Sequence, residues 1–267
     1  MKKIGLLAGI GRLPVEFARA ARGMGFSVTA VALVPGVDPE LSESADTIYN
    51  ISIGELDKVI AALKSEGVEQ VTMLGKVTKE LMFSGSVQLD ARIRKMFAAL
   101  TDNSDDTIML AFVRELASDG IGVFDQTTLI RTLMPAPGVL SSRKPTPEEQ
   151  ADMEFGFKMA KAIGGLDIGQ TVVVKNLAVI AVEAIEGTDS CIRRSGQLSR
   201  GNATVAKVAK PNQDMRFDVP AVGINTIHSM IEAGAKALAI EAGKTLVVER
   251  EKVIKMADDN GITIVAM

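Results

Sequence analysis

Short apolar runs alternate with amphipathic segments through the first half of the chain, and this alternation strongly constrains the fold. The apolar runs at residues 4–8, 27–33 and 68–74 have the length and composition of buried strands. The intervening segments 13–24 and 55–66 carry apolar residues at helical spacing. Strands that alternate with helices in this way form a parallel sheet with helices on its faces. The first half therefore predicts an α/β domain.

Four prolines between residues 135 and 147 divide the chain. Because proline fixes φ and lacks an N–H donor, we expect no strand or helix across 134–147. The pattern predicts an N-terminal Rossmann-like domain with a parallel sheet over residues 1–134. A proline-rich linker then covers 135–147, and a C-terminal mixed α/β domain covers 148–267.

The second half mixes both periodicities. A helix is predicted from Pro147 to about Ile163, because proline at the start and acids in the first turn suit a helix N-terminus. Residues 171–174 and 177–182 are rich in β-branched residues, and Lys175-Asn176 between them predicts a hairpin turn. Further strand-like and helix-like segments alternate to residue 265.

Composition excludes several classes of protein. The chain has 30 Lys and Arg against 33 Asp and Glu, a net charge of −3, which argues against a dedicated nucleic-acid-binding protein. Cys191 is the only cysteine and His228 the only histidine, so cysteine-based zinc sites and disulfides are excluded. Both are interpreted as structural residues. No apolar segment approaches the ~18 residues of a membrane span. We therefore expect a cytoplasmic protein.

A glycine turn separates the first predicted strand from the first helix. Glycines there let backbone amides approach a phosphate at a helix N-terminus, although a tight βα turn explains them as well. Gly75-Lys76 ends a later strand, at the edge where open α/β sheets bind ligands. Lys76 is either a phosphate ligand or a solvated loop lysine. The candidate substrate-binding residues in this half are Gly9, Gly11, Arg12, Gly75 and Lys76.

A second constellation begins at Glu183, which ends a strongly apolar strand. Thr188 and Asp189 follow a glycine turn, and Arg193-Arg194 come shortly afterwards. Carboxylates and arginines in this order suit a metal and a phosphate, with Glu183 as candidate metal ligand and Thr188 and Asp189 as candidate substrate ligands. The alternative is a solvated turn followed by the basic face of a helix.

The strongest constellation is the segment 207–220, which Pro211 and Pro220 bracket. If its middle is extended, alternate side chains face the same way. Two carboxylates on one face can bind Mg²⁺ or position water, and neighbouring cations can neutralise phosphate charge. The alternative is a surface loop of paired charges. The candidate catalytic residues are Asp214, Asp218, Arg216 and Lys210, the candidate metal ligands are Asp214 and Asp218, and the candidate substrate ligands are Lys207 and Gln213.

Five segments occur in one order and spacing that resembles the LpxI-type UDP-2,3-diacylglucosamine pyrophosphatases of lipid A biosynthesis. They are residues 7–14 (LAGIGRLP), 75–77 (GKV), 183–189 (EAIEGTD), 208–220 (VAKPNQDMRFDVP) and 241–245 (EAGKT). The resemblance runs over essentially the whole chain. One departure is Asn212, where the family often has glycine; asparagine tolerates left-handed backbone geometry better than most residues.

The resemblance implies hydrolysis of UDP-2,3-diacylglucosamine to UMP and 2,3-diacylglucosamine 1-phosphate, with a divalent cation, usually Mg²⁺. It implies attack by water on the sugar-side phosphorus and an essential aspartate, either Asp214 or Asp218. A substrate embedded in the inner membrane implies transient, peripheral contact with that membrane. The long linker permits domain exchange and hence a homodimer.

Two other functions remain open from the residues alone. A non-catalytic nucleotide-sugar sensor would bind the same ligand without turnover. A nicotinamide-dependent oxidoreductase shares the early glycine turn, but Pro14 replaces the third glycine of the dinucleotide pattern. No clear acidic residue closes the second strand either, so this alternative is weaker.

Overall fold

The chain folds around two main sheets, one in each half. The structure, a computed structural model, describes residues 2–77, 87–102, 105–215 and 219–267, without the side chains of residues 105 and 106. It divides into two compact units, the first built mainly from residues 2–130 and the second mainly from residues 131–267. An α/β fold with a parallel N-terminal sheet and a mixed C-terminal sheet is thereby confirmed.

The first unit has a five-stranded sheet in the order β3-β2-β1-β4-β5, with every described pair parallel. Its elements are β1 (Lys2–Ala8), α1 (Leu13–Gly23), β2 (Phe26–Ala32), α2 (Leu41–Ser44), β3 (Thr47–Asn50), α3 (Leu56–Ser65), β4 (Gln70–Leu74), α4 (Ala91–Ala98), α5 (Asp105–Ser118), β5 (Gly122–Val123) and α6 (Thr127–Ile130). The strand order reverses between β1 and β4, so the loops that follow these two strands lie side by side.

Burial of one helix face holds this unit together. In α1, Val15, Phe17, Ala18 and Ala21 are inaccessible to solvent. Full burial of a side chain such as that of Phe17 contributes about 1.5–3 kcal/mol. The central strand β1 is buried from Ile4 onward, as expected for a parallel strand covered on both faces.

The second unit has a six-stranded mixed sheet in the order β6-β13-β11-β9-β7-β8. Its elements are β6 (Gly138–Val139), α7 (Pro147–Gly165), β7 (Thr171–Lys175), β8 (Ala178–Val182), α8 (Thr188–Ser199), β9 (Thr204–Lys207), β10 (Ala221–Val222), α9 (Ile224–Ala233), β11 (Ala237–Ile240), β12 (Leu246–Val247), α10 (Arg250–Asp259) and β13 (Thr263–Ala266). Strands β9, β11 and β13 are parallel, β6 and β7 run against them, and β8 is antiparallel to β7. β10 and β12 form a separate parallel pair.

Helix α7 begins with the polar cap that its sequence predicts. Thr146 accepts a hydrogen bond from the Glu149 amide, and the Glu149 carboxylate accepts one from the Thr146 amide. This reciprocal capping box satisfies two donors that a helix start leaves unpaired. Among the described residues, no helix is both long and apolar enough to span a bilayer.

Two local predictions are wrong. Gly138–Val139, inside the proline-rich segment, forms β6, which pairs with β13 at the edge of the sheet. Proline is tolerated beside a short edge strand, where one row of backbone donors faces away from the sheet. The hairpin turn lies at Asn176-Leu177, not at Lys175-Asn176. Asn176 and Leu177 both have positive φ, at 52° and 58°.

Candidate active site at the carboxyl edge of the second sheet

The predicted glycine turn of the first unit is joined to the loop after β4. The Ile10 amide donates to the Lys76 carbonyl at 2.9 Å, and the Lys76 amide donates to the Ile10 carbonyl at 2.7 Å. A Cβ atom on Gly9 would lie 2.7 Å from the Lys76 carbonyl oxygen, and one on Gly75 would lie 2.6 Å from the Gly9 carbonyl carbon. Gly9 and Gly75 are therefore required for the close approach of two backbones.

Gly11 and Arg12 follow in the chain, but neither is needed for this close approach of the two backbones. Gly11 has φ +117°, and an added Cβ would meet no atom within 4 Å. The Arg12 guanidinium donates to Asp38 at 3.1 Å and to Glu40 at 2.8 Å, and it lies 3.5 Å from Glu16. These hydrogen bonds raise the pKa of Arg12 and lower the pKa of Glu40 to about 2. Arg12, predicted as a substrate ligand, is thus neutralised by carboxylates of its own unit.

In the second unit, several predicted site residues meet at one edge of the sheet. Lys207 is the last residue of β9, and Glu183 directly follows β8. Because β8 and β9 are both antiparallel to β7, their carboxyl ends lie at the same edge. Glu241 directly follows β11, which is parallel to β9, and so lies at this edge too. The carboxyl edge of an open α/β sheet is where ligands commonly bind.

A hydrogen-bonded chain connects three of the predicted residues. The Lys207 ammonium donates to the Thr188 hydroxyl at 3.1 Å, and that hydroxyl donates to Glu183 Oε1 at 2.8 Å. The second oxygen of Glu183 accepts the Gln170 amide at 3.3 Å. The structure therefore brings Glu183, Thr188 and Lys207 into contact. Asp189 lies beside Thr188 in the first turn of α8, where an acid favours the positive end of the helix dipole.

The two arginines of α8 are paired with carboxylates. Arg193 donates to Glu232 at 2.6 Å, and Arg194 donates to Glu186 at 2.7 Å. The Arg194 hydrogen bond lowers the pKa of Glu186. This pairing is the arrangement expected for a basic helix face.

The loop after β9 carries Lys210, Gln213 and Asp214. The Lys210 amide donates to the Gln213 side chain at 2.8 Å, and the Gln213 amide donates back to the Lys210 carbonyl at 3.2 Å. The Lys210 ammonium lies 2.5 Å from Asp167, and Lys210 as a whole is buried. Asp214 is half-buried. Residues 216–218 lie outside the described part of the chain, and with them the predictions made for Arg216 and Asp218.

Two further residues at this edge were not among the predicted candidates. Lys161, from α7, donates to Glu241 at 2.5 Å and to the Ala209 carbonyl at 2.8 Å. Glu241 also accepts the Ala209 amide at 2.9 Å and pairs with Lys244 at 3.0 Å. Burial alone would raise the pKa of Glu241, but the hydrogen bonds from Lys161, Lys244 and Ala209 together lower it.

Sequence alone offered a signal for only one of these two residues. Glu241 follows a buried strand directly, as Glu183 does, and it opens the segment 241–245 that carries the family resemblance. Lys161 is different, because nothing in the helical pattern separates it from Lys158 on the same helix.

The atoms at this edge that could coordinate a metal are carboxylate and hydroxyl oxygens, which suit a hard cation such as Mg²⁺. Glu183 uses each carboxylate oxygen for one hydrogen bond, and a carboxylate has about four acceptor positions, so it retains capacity for a ligand. Asp214 is a further half-buried carboxylate, in the loop that follows β9. Within the described ranges, no three acidic, histidine or cysteine residues cluster as a preformed metal site.

Cys191 offers no nucleophile. Cys191 is fully buried in the core of the second unit, as predicted, and burial raises the pKa of its thiol to about 12. A thiol in that state is not a nucleophile at neutral pH. His228 is exposed on α9, and the interpretation of it as a structural residue stays a prediction.

The sequence matches two family models over almost its whole length. The model described as the LpxI N-terminal domain matches residues 3–133, and the LpxI C-terminal domain matches residues 136–265. The UDP-2,3-diacylglucosamine pyrophosphatase LpxI of Caulobacter vibrioides is 36% identical over 278 residues, covering 100% of this chain and 98% of that protein.

Two solved structures show weak likeness to this chain. N5-carboxyaminoimidazole ribonucleotide synthetase from Thermotoga maritima is 17% identical, with a TM-score of 0.28, over 65% of this chain and 38% of its own. UDP-glucose 4-epimerase from the same organism is 14% identical, with a TM-score of 0.31, over 54% of this chain and 41% of its own. TM-scores this low do not establish a common fold.

Proposed function

The chain belongs to the LpxI family, and on that premise we propose that it hydrolyses the pyrophosphate bond of UDP-2,3-diacylglucosamine. The products are UMP and 2,3-diacylglucosamine 1-phosphate. The observation that carries the proposal is the match of both domain models, together with 36% identity along the full length of a pyrophosphatase. The hydrogen-bonded residues at the carboxyl edge of the second sheet supply groups suited to this chemistry.

Basic residues at this edge would bind the diphosphate. In the transition state negative charge develops on the phosphoryl oxygens, and fixed cations stabilise it there more than in the ground state. The Lys207 ammonium is oriented by Thr188, and the Lys210 ammonium is oriented by Asp167. Orientation before the reaction lowers the reorganisation that the transition state requires.

Asp214 would orient the attacking water and accept its proton. A carboxylate acts as a general base when it lies within hydrogen-bond reach of the water. Water adds to a phosphorus atom, the bond from that phosphorus to the bridging oxygen breaks, and the other phosphate leaves with the bridging oxygen. Asp218 has the same chemistry in the predicted segment.

A divalent cation, Mg²⁺, is part of the proposal. Asp214, Asp218 and Glu183 would hold it, because carboxylate oxygens are the ligands that Mg²⁺ prefers. When bound, it would neutralise charge on the diphosphate oxygens. The arrangement of Thr188 and Gln170 around Glu183 fixes the orientation of that carboxylate in the protein itself.

Contact with the inner membrane is also proposed, because the substrate carries two acyl chains. Ile185 is 97% exposed, Leu166 is 72% exposed and Ile168 is 47% exposed. Ile185 lies two residues after Glu183, and Gly169 packs directly against the Glu183 backbone. These three apolar side chains therefore lie near the site edge of the second sheet and suit shallow insertion into lipid.

A homodimer is a further proposal. The strand β8 pairs only with β7 among the described strands, and its Val179 is 41% exposed. An exposed, uncharged edge strand is a surface on which a second copy can pair. Light scattering of the purified protein measures its mass directly.

The test of the proposed activity is UMP release from UDP-2,3-diacylglucosamine by the purified protein, with Mg²⁺ and with EDTA. Asp214→Ala is expected to lower turnover by about 100-fold or more, since general-base catalysis contributes about 10²–10⁴-fold. The matched control is Asp259→Ala, which removes an exposed carboxylate that pairs only with Lys255 among the contacts described for it. It should leave turnover unchanged.

Each alternative function predicts a different result. Metal-dependent UMP release by the wild-type protein supports the pyrophosphatase. Tight binding of the UDP-sugar without release at any metal concentration would instead support the sensor. Absorbance changes with NADH would support the oxidoreductase. Full activity of both Asp214→Ala and Asp218→Ala would overturn the assignment of the catalytic segment.

A further inference from the structure

The backbone of Ala209 is held on both sides by one ion pair. Glu241 Oε2 accepts the Ala209 amide at 2.9 Å, and the Lys161 ammonium donates to the Ala209 carbonyl at 2.8 Å. The same ammonium lies 2.5 Å from the same Glu241 oxygen. Ala209 is completely buried. Its N–H and C=O are therefore fixed by two side chains, and both peptide planes at Ala209 are oriented by them.

The position of Ala209 in the chain gives this contact its significance. Ala209 immediately precedes Lys210, whose amide and carbonyl both bond to Gln213. Pro211 fixes φ at the next position and removes freedom from the loop. Because Ala209, Lys210, Pro211 and Gln213 are each constrained, the direction in which the chain leaves Ala209 influences where Lys210 and Asp214 lie.

The ion pair satisfies buried backbone groups that apolar side chains could not. Glu241 is 8% exposed and the Lys161 side chain is 24% exposed, so the pair is only partly desolvated. Apolar side chains of similar size would fill the same space but would leave the buried N–H and C=O of Ala209 without partners. The acid and base differ from apolar residues in one respect: they can hold a peptide N–H and a peptide C=O at defined positions.

Each member of the pair is itself held. Lys244 pairs with the second oxygen of Glu241 at 3.0 Å. The Lys161 ammonium lies 5.9 Å from the centroid of the Phe157 ring, one helical turn earlier on α7, within the range of a cation–π contact. Lys161 lies on α7, and Glu241 directly follows β11. These two elements pack together, so both side chains start from rigid backbone. A group supported in this way can position a loop accurately.

We propose that Lys161 and Glu241 are positioning residues, which clamp the backbone at Ala209 and so place Lys210 and Asp214 for hydrolysis of the diphosphate. The inference rests on the proposed function, since it assigns these residues to the same site. Neither residue contacts substrate; both act through the main chain of the catalytic loop.

The test compares conservative and disruptive changes at the clamp. Lys161→Met removes the hydrogen bond to the Ala209 carbonyl, and Glu241→Ala removes the hydrogen bond from the Ala209 amide. Each is expected to lower kcat by about 10- to 100-fold, because displacement of a catalytic group by about 1 Å costs up to about 100-fold. KM should change less than kcat, since the fixed cations stabilise the transition state more than the ground state. Lys161→Arg and Glu241→Gln keep a donor and an acceptor and should retain most of kcat.

The matched control is Arg143→Met, at the opposite edge of the same sheet. Arg143 pairs with Glu149 through two 2.8 Å contacts and donates to the Lys236 carbonyl, immediately before β11. It is therefore an ion pair that holds backbone next to the same strand, but at its amino end. Its loss should lower thermal stability and leave kcat unchanged.

A second measurement follows the clamp without any substrate. Hydrogen exchange of the Ala209 amide is expected to accelerate at least about tenfold in Lys161→Met and Glu241→Ala, while the amides of β9 stay protected. If wild-type protein releases no UMP, the proposed function fails, and exchange still decides whether the clamp exists. Wild-type kcat in both disruptive variants, or equal loss of kcat in Arg143→Met, would overturn the positioning role.

Discussion

At the scale of single residues, Gly9 and Gly75 allow the loops that follow β1 and β4 to come into backbone contact. Gly75 has φ +90°, and a Cβ there would lie 2.6 Å from the carbonyl carbon of Gly9. An alanine would therefore add both backbone strain and a collision with main chain, which cannot move aside as a flexible side chain does. The requirement for glycine at this position is steric, and it holds whether or not a ligand binds nearby.

We expect Gly75→Ala to lower the free energy of unfolding by about 2–4 kcal/mol, from strain of about 1–3 kcal/mol and overpacking of similar size. Urea titration followed by circular dichroism measures the change. Gly23→Ala is the control, because Gly23 lies at the end of α1 with open space around it. That change should stabilise the protein by about 0.4–1 kcal/mol. Equal stability of the two variants would contradict the close contact.

The residues of the glycine turn were recognisable from sequence, but their partners were not. The pattern at Gly9 and Gly11 predicted a βα turn and left phosphate contact open. That Gly9 packs on Gly75 follows from β4 lying beside β1, which a single sequence does not specify. The same limit applies to Arg12, whose carboxylate partners Asp38 and Glu40 are more than twenty residues away.

At the scale of elements, the hairpin of β7 and β8 carries a costly residue in its turn. Asn176 and Leu177 have φ of 52° and 58°, and Asp152 from α7 accepts both of their amides. Asparagine tolerates left-handed geometry, whereas leucine pays about 1–2 kcal/mol for it. Leu177 is also 55% exposed, so little burial compensates for that strain.

Leu177→Gly should therefore raise the free energy of unfolding by about 0.5–1 kcal/mol, after the greater flexibility of glycine in the unfolded chain is subtracted. The control is Leu166→Gly, at an exposed leucine with φ −93° that gains no relief of strain. That variant should lose about 0.5–1 kcal/mol. Both changes are read by urea titration, and a loss of stability in Leu177→Gly would show that the turn needs its leucine.

Elements with a clear apolar period were predictable, and those made by pairing alone were not. The strands 4–8 and 68–74 and the helix from Pro147 follow directly from pattern, because burial of a whole face imposes it. β3 and β6 have no such signal. Their residues are half-buried or exposed, and hydrogen bonds to β2 and β13 hold them in the sheet.

At the scale of the whole molecule, the candidate site is made by sheet topology. Glu183, Lys207 and Glu241 are far apart in sequence and share an edge because their strands end there. Sequence identified Glu183 and Lys207 by their place in charged segments, and it identified Thr188 between them. It could not identify Lys161, since a lysine on a long helix gains its role only from the sheet on which the helix packs.

The charge of the molecule determines which membrane contact is physically reasonable. The net charge is −3, and Ile185 has the acidic neighbours Glu183, Glu186 and Asp189. An anionic leaflet attracts basic segments by about 1 kcal/mol per Lys or Arg. The nearby Arg193 and Arg194 are each paired with a carboxylate, so this part of the chain has no excess of basic charge. The proposed membrane contact would therefore come from apolar side chains, of which Ile185, at 97% exposure, is the most prominent.

Co-sedimentation with phosphatidylcholine vesicles, with and without phosphatidylglycerol, tests this directly. Ile185→Ser should reduce the bound fraction about tenfold, because burial of isoleucine contributes about 1.5–3 kcal/mol. Met24→Ser is the control, since Met24 is an apolar side chain of the first unit with 57% exposure. Binding should change little with phosphatidylglycerol content or added salt. Binding that rises with phosphatidylglycerol and disappears in salt would place the contact on a basic surface instead, because screening weakens only interactions between charges.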